Sequence, residues 1–407
     1  MPSHTTHNTP ALRFPGYAGV WEQQQLKTVT NIVNRTDENS SAPIMMITAS
    51  NGFIDQSERY AYDNTGASLK KYIILHKGEL AYNHGASKLR PYGSCFALDV
   101  DNARVPFVYH CFSTSSCDPY FLSTILNSCV VEHQLRRLIS SGARMDGLLN
   151  ISYSDYSNIY ITLPTLDEQK KITQLLRTLD GLISLHQRQT QKLTELKQGL
   201  LQNMFPREGE SVPRLRFPGF TTTWKQHKIG SLITEYKEKV DRTSTLPVLT
   251  SSKTEGIVFQ EDHFGSAQNH DITGYNVLPR NYCTYRSRSD GTDFTFNVNN
   301  CCDKGIISKY YPVFNGKNND TFFLSLMLNN NKEIIHEIGY TCVGTGQKVL
   351  SFSDLKKMSM SVPSLEEQTK LSIFFRRLDD LLTLHERYVT TLIHLKKGLL
   401  QKMFPQD

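Results

Sequence analysis

"LHQRQTQKLTELKQGLLQNMFP" spans Leu185–Pro206, and "LHERYVTTLIHLKKGLLQKMFP" spans Leu384–Pro405. Extended outward, Pro164–Pro206 matches Pro363–Pro405 without a gap at an offset of 199, with 22 of 43 positions identical. Upstream, ISYSDY (Ile151–Tyr156) faces LSFSDL (Leu350–Leu355), and their alternation predicts a strand leading into each copy. A second match, at an offset of 203, sets LRFPGYAGVWEQ (Leu12–Gln23) against LRFPGFTTTWKQ (Leu215–Gln226). Each half therefore opens on one phrase and closes on one helix, with a variable stretch between.

Within the variable stretches, YIILHKGELAYN (Tyr72–Asn83) and YNVLPRNYCTYR (Tyr275–Arg286) echo each other faintly at the same offset. Short Tyr, Ile, Val and Phe runs between Gly, Asn, Asp and Ser predict mixed strands, with helices near Asp118–Leu138 and Asp320–Ile338. PREGESVP (Pro206–Pro213) joins the halves. The expected fold class is α/β (α+β), two globular domains in pseudo-twofold arrangement separated by two long helices. The expected divisions are 1–163, a first domain; 164–205, a first helix; 206–217, a linker; 218–362, a second domain; and 363–405, a second helix.

Each helix has a start signal after its proline: Thr165 with Glu168, and Ser364 with Glu367, fit a capping box in which the hydroxyl and the carboxylate serve each other's backbone. Apolar residues then recur on a heptad. Ile172, Leu179, His186, Leu193 and Leu200 lie seven apart, with Leu175, Leu176, Leu182, Ile183, Leu196 and Met204 between them. The second copy supplies Leu371, Leu378, His385, Leu392 and Leu399, with Phe374, Phe375, Leu381, Leu382, Leu395 and Met403 between. A narrow seam of this length predicts a coiled coil, a rod of roughly 60 Å. The alternative is that each helix packs only on its own domain. Two matching seams in one chain pack most simply on each other, and an antiparallel pair would carry the domains to opposite ends and bring His186 close to His385. A polar seam residue of this kind fixes register, or acts as a pH-sensitive switch. Gly199 and Gly398 weaken each helix by about 1 kcal/mol relative to alanine, which predicts close backbone approach or a bend.

At 407 residues the chain exceeds what one core usually serves, and 39% hydrophobic with 21% charged residues describes globular domains. No apolar run is long enough to span a bilayer and the start lacks the pattern of a signal peptide, so a cytoplasmic protein without membrane association is expected. The 8 cysteines form no CxxC pair, which predicts reduced thiols and no metal site, the adjacent Cys301 and Cys302 included. Residues 1–163 hold 13 basic and 13 acidic side chains, so the net charge of +6 lies entirely in residues 164–407. That balance permits a nucleic-acid partner through a local basic cluster.

Together these features resemble the specificity subunit of type I restriction and modification systems, over essentially the whole chain. The motifs that carry the resemblance are LRFPG followed by Trp21 or Trp224, LPTLDEQKKI and VPSLEEQTKL at the helix starts, and LKQGLLQNMFP and LKKGLLQKMFP at their ends. The resemblance implies two target recognition domains, each reading one half of an asymmetric bipartite site in double-stranded DNA, with the helices as spacers setting the gap. It implies two modification (methyltransferase) subunits carrying S-adenosylmethionine and acting on adenine. It also implies restriction (translocase and nuclease) subunits using ATP and Mg.

No catalytic residue or bound cofactor is expected in this chain. It has no GxxxxGKS or GxxxxGKT loop. CDPY (Cys117–Tyr120) lacks the second proline of an adenine methyltransferase motif, and VGTG (Val343–Gly346) lacks a nucleotide-binding context; each reads as a turn.

Base reading needs donors and acceptors on braced loops. The candidates after the matched Tyr82 and Tyr285 strands are Asn83, His84, Lys88 and Arg90 in the first domain, and Arg286, Arg288, Asp290 and Thr292 in the second. A further matched pair, TASNGFIDQ (Thr48–Gln56) and TSSKTEGIVFQ (Thr250–Gln260), adds Ser50, Asn51, Ser252 and Lys253. Basic residues on the helix exteriors, Lys170, Lys171, Arg177, Arg188 and Lys192 with Lys370, Arg376, Arg377 and Arg387, form a solvated face or border DNA or partners. The rival from another class is a coiled-coil protein-interaction scaffold with two α/β binding domains.

Overall fold

The computed structural model describes residues 9–58, 66–139, 149–207, 209–266, 271–291, 294–342 and 348–405. The chain divides into two compact units, one of residues 1–185 with 388–407, the other of residues 186–387. The end of the second long helix therefore belongs with the first domain, and the end of the first long helix with the second.

In the first unit β1 (Glu22–Gln25) pairs with β10 (Tyr160–Leu163), and a four-stranded antiparallel sheet runs in the order β2 (Thr30–Ile32), β9 (His110–Thr114), β6 (Leu80–Asn83), β7 (Ser94–Ala97). β3 (Met45–Thr48) and β4 (Gly52–Asp55) make a hairpin, and β5 (Ile73–His76) pairs with β8 (Asn102–Val105). Helices α1 (Pro119–Leu126) and α2 (Cys129–Leu138) follow, then the long α3 (Leu166–Met204).

The second unit builds the same plan from different residues. β11 (Lys225–Lys228) pairs with β22 (Ser359–Val362), and the four-stranded sheet is β12 (Ile233–Tyr236), β20 (Val313–Gly316), β16 (Cys283–Tyr285), β18 (Phe296–Val298). The hairpin is β13 (Leu249–Ser252) with β14 (Gly256–Phe259), and β15 (Asn276–Pro279) pairs with β19 (Lys304–Ile307). It adds a short pair, β17 (Arg288–Ser289) with β21 (Lys348–Val349), and then α4 (Thr321–Asn330), α5 (Lys332–Thr341) and the long α6 (Leu365–Met403).

Each predicted mid-domain helix is two helices. Asp118 and Asp320 cap the first of each pair by accepting from Phe121 N and Phe323 N, both at 2.8 Å, so CDPY is a helix start. Asn127–Ser128 and Asn331 then break the run. VGTG lies outside the described residues.

ISYSDY and LSFSDL are corrected from strands. Ser152 and Ser351 accept from Asp155 N and Asp354 N at 3.0 Å and begin the short helices Tyr153–Ser157 and Phe352–Lys357, because serine capping outweighs two turns of alternation.

The repeated phrases meet in the cores. In the first unit Trp21 packs edge-on to Phe121 (5.7 Å) and Phe404 (6.1 Å), beside buried Ile172, Leu176 and Met403. In the second, Trp224 packs on Phe323 (5.7 Å) and Phe205 (6.3 Å), beside Leu371, Phe375 and Met204. A smaller cluster lies farther along each chain fold, around Ile47, Leu75 and Leu98 in one unit and Leu249, Leu278 and Ile307 in the other.

The expected capping boxes are half formed. Thr165 and Ser364 hydroxyls accept weakly from Glu168 N and Glu367 N (3.5 and 3.4 Å), but the carboxylates turn away to the opening phrase. Arg13 donates to both Glu168 oxygens (2.8 and 2.6 Å), and Arg216 does the same to Glu367 (2.9 and 2.6 Å). A bidentate guanidinium satisfies a buried carboxylate better than one backbone N–H would.

The two long helices pack together antiparallel. In the second unit His186 Nδ1 is 2.8 Å from His385 Nδ1 and Lys197 bonds Asp379 at 2.5 Å; in the first, Lys396 bonds Asp180 at 2.5 Å. These lysine–aspartate pairs are one pair written twice, since 180 and 379, and 197 and 396, each differ by the repeat offset of 199.

The seam is narrower than its heptads suggested. Ile172, Leu179, Leu371 and Leu378 are buried, Ile172 and Leu371 within the domain cores, while His186, Leu193, Leu200, His385, Leu392 and Leu399 are half-buried. Leu182, Leu196, Leu381 and Leu395, expected to fill the seam, are 39%, 51%, 46% and 49% exposed, because a pair of helices covers one stripe of each partner. Gly199 and Gly398 have open space where a Cβ would stand, so neither marks a close approach.

Among the described residues no helix is long and apolar enough to cross a membrane, and no group of histidine, cysteine and carboxylate side chains could hold a metal ion. The cysteines form no disulfide, with Cys301 and Cys302 sulfurs 4.0 Å apart.

Candidate nucleic-acid interface

The sequence candidates fall on two neighbouring features of each domain, a hairpin turn and the segment after the central strand. In the first domain Ser50 and Asn51 form the exposed turn of the β3–β4 hairpin. Asn83, at the end of β6, donates to Ile47 O (3.2 Å) and accepts from Gly85 N (3.0 Å), which ties the hairpin to the next loop.

His84 and Arg90 are drawn into the structure. The His84 ring is buried, with Nδ1 2.8 Å from Leu149 O and Nε2 2.9 Å from Val108 O, and it stacks on His110 with centroids 5.0 Å apart. Arg90 donates to Asn127 O (2.7 Å) at the α1–α2 break and reaches Glu132 at 3.4 Å. Both side chains brace the loop. Ser50, Asn51 and Lys88 are the first-domain candidates left exposed.

In the second domain the two candidate segments line one cavity of about 340 Å³. Lys253 comes from the β13–β14 turn, Arg286, Arg288 and Asp290 from the segment after β16, and His263 and Phe264 from the short helix Gln260–Phe264. Ser252 is buried and serves the turn, accepting from Thr254 N (3.3 Å) and Glu255 N (3.2 Å). Asn297 on β18 donates to Ser251 Oγ and Ser252 O, both at 2.8 Å, and so holds the turn against the sheet.

His263 Nδ1 lies 2.9 Å from Glu255. The Arg288 guanidinium sits 4.8 Å from the centre of the Tyr310 ring, close enough to stack. Burial pushes the Tyr311 phenol up, and the nearby Arg286 only partly offsets this. Thr292 lies outside the described residues. His263, Tyr310 and Asn297 escaped sequence reading because no motif connects them to the loops they meet.

A larger cavity of about 470 Å³ in the first unit is lined by α1, α2 and the long helices, but three of its cations, Arg90, Arg177 and Lys396, are engaged. Arg90 is held as described, Arg177 bonds both Asp99 oxygens at 2.9 Å, and Lys396 bonds Asp180. Arg177 also lies over Tyr120 (4.0 Å), as Arg376 lies over Phe322 (4.2 Å), so these two are packed against their domains instead of forming a free basic face.

A profile described as the type I restriction modification DNA specificity domain matches residues 70–195 and again 226–392. A protein of Methanocaldococcus jannaschii, assigned as the specificity subunit of the type I restriction enzyme MjaX, is 21% identical over 422 residues, covering 93% of this chain and 92% of the relative. The S subunit of a type I restriction-modification system from M. genitalium has the same fold, with TM-score 0.58 at 13% identity over 98% of this chain and 100% of that one. The HsdS subunit from Thermoanaerobacter tengcongensis aligns at TM-score 0.41 and 17% identity over 97% of this chain and 98% of that one.

Proposed function

Because this chain belongs to the type I restriction-modification DNA specificity family, we propose that it is the non-catalytic subunit that selects the DNA site for partner enzymes. The first domain reads one half of a bipartite site, the second reads the other, and the paired helices set the gap. The observation that carries this reading is one strand plan built twice, presenting different side chains at corresponding turns: Ser50, Asn51 and Lys88 in one, Lys253, Arg286, Arg288 and Asp290 in the other. Two unlike readers make an asymmetric site, and duplex DNA offers successive major-groove faces about one turn apart.

Adenine methylation then belongs to modification subunits carrying S-adenosylmethionine, and cleavage to restriction subunits using ATP and Mg. The surface suited to the modification subunits is the second apolar stripe of the helices. In the second unit Leu381 and Leu384 of α6 and Leu196 of α3, and in the first unit Leu182 and Leu185 of α3 and Leu395 of α6, are 39–51% exposed. A helix from a partner would cover such a stripe by knobs-into-holes packing.

The test is methylome sequencing of cells expressing the chain with its modification subunits. A two-part motif with a fixed gap is expected; one continuous motif, or none, defeats the two-reader assignment. The same exposed stripe also suits the scaffold reading, which requires no DNA retention even at low salt, where phosphate contacts are strongest.

A further inference from the structure

Resting on the reading of the second domain as one of two DNA readers, we propose that it reads a guanine–cytosine pair, with Arg288 on the guanine edge and Asp290 on the cytosine.

Among the described residues many guanidinium groups are spent on the fold. Arg13 and Arg216 hold glutamates, Arg104 donates to Ala42 O (3.0 Å), and Arg280 holds Asp303 (2.8 Å). Arg286 and Arg288 differ: both are exposed, both line the same cavity, and among the described residues neither guanidinium makes a hydrogen bond or ion pair. Two cations with no ion-pair partner line one cavity beside a single carboxylate, Asp290, a balance that favours an acceptor-rich ligand.

Arg288 is also oriented. Its backbone is held in the β17–β21 pair, and its guanidinium lies over Tyr310 at 4.8 Å, so fewer rotamers are lost when it binds while the N–H edges stay free. That fork matches guanine, which offers two acceptors, N7 and O6, in the major groove; adenine offers one acceptor beside a donor and thymine one acceptor beside a methyl group. Asp290, two residues along, supplies an acceptor, which suits the N4 amino group of cytosine and opposes the O4 of thymine. Donor fork and acceptor together complement a guanine–cytosine pair and mismatch an adenine–thymine pair.

The first domain carries no such set. At the offset of 203 that aligns the halves, Gly85 stands for Arg288 and Ser87 for Asp290, so the preference belongs to the second half-site alone.

The experiment uses the full chain co-expressed with its modification subunits, with methylated motifs read for the wild type, Arg288→Ala, Arg288→Lys and Asp290→Asn. The wild type is expected to show a guanine at a fixed place in one half-site. Arg288→Ala should relax that place by about 10- to 100-fold, leaving the other half-site and the gap unchanged, and Arg288→Lys should restore the preference only in part. A second half-site without guanine overturns the proposal. So does an Arg288→Ala chain that methylates every site less but keeps its motif, since that marks a phosphate contact. A wild type with no two-part motif overturns instead the reading on which the proposal rests. Because Arg288 is exposed and bonds no other described side chain, the variants keep the fold; unchanged circular dichroism and an unchanged first half-site verify this in the same samples.

Discussion

Arg13 and Arg216 explain why a phrase as short as LRFPG stands at the head of each half. Each crosses more than 150 positions to a glutamate at the start of a long helix, while the neighbouring Gln169 and Gln368 accept from Asp118 N and Asp320 N at 3.0 Å. The words DEQ and EEQ are thus the docking points of two other segments. At this scale the motifs were legible but their partners were not: a capping box is a local pattern, and nothing local shows that an arginine arrives from elsewhere. The same limit applies to His84 and Arg90, since a free polar loop residue and a bonded brace look alike until the carbonyls of Leu149, Val108 and Asn127 are in place.

His110 supports a pH prediction. Burial, and then the nearby His84, hold its imidazole below its ordinary value, while its bond to Ile151 O (2.9 Å) opposes this. The unfolded chain takes up a proton as pH falls through roughly 6.5, whereas the folded ring resists it. Stability from the neutral ring is therefore complete above that pH and is lost as pH falls toward the folded value. Melting temperature is expected to drop between about pH 7 and pH 5.5, and His110→Gln should shrink that drop; an identical pH dependence in both proteins contradicts the assignment.

At the scale of elements, the helix repeat was the most legible feature, because heptad spacing is a property of the chain alone. What it concealed is that each helix serves two purposes. The first turns of α3 close the first core, and Met204 at its end with Phe205 just beyond close the second, while α6 does the reverse through Leu371 and Phe375, then Met403 with Phe404 just beyond. Phe404→Ala should accordingly cost about 3–5 kcal/mol, and the loss should fall on the first domain. Hydrogen exchange is expected to accelerate in β6, β7 and α1 and to stay unchanged in β16, β18 and α4; Phe205→Ala should show the converse. Uniform acceleration in both variants would mean that the cores are not separately closed.

At the scale of the whole molecule, the design repeats a scaffold and varies its turns. If the paired helices set the gap between half-sites, a seven-residue duplication in α3 between His186 and Leu193, matched in α6 between His385 and Leu392, keeps the seam in phase and lengthens the arm. Methylome sequencing should then return the same two half-sites at a larger gap; altered half-site bases with the old gap would count against a spacer role.

By itself the sequence determined the duplication, the two long helices, their apolar heptads and the phrases opening each half, because periodicity and identity at a fixed offset need no folded partner. Only the tertiary structure decided that the helix ends exchange cores, that one strand plan underlies two unlike variable stretches, and that Arg286 and Arg288 stand over a cavity while Arg90 is spent. Burial and hydrogen bonding depend on which distant backbone groups packing brings within about 3 Å, and residue order alone does not specify those neighbours.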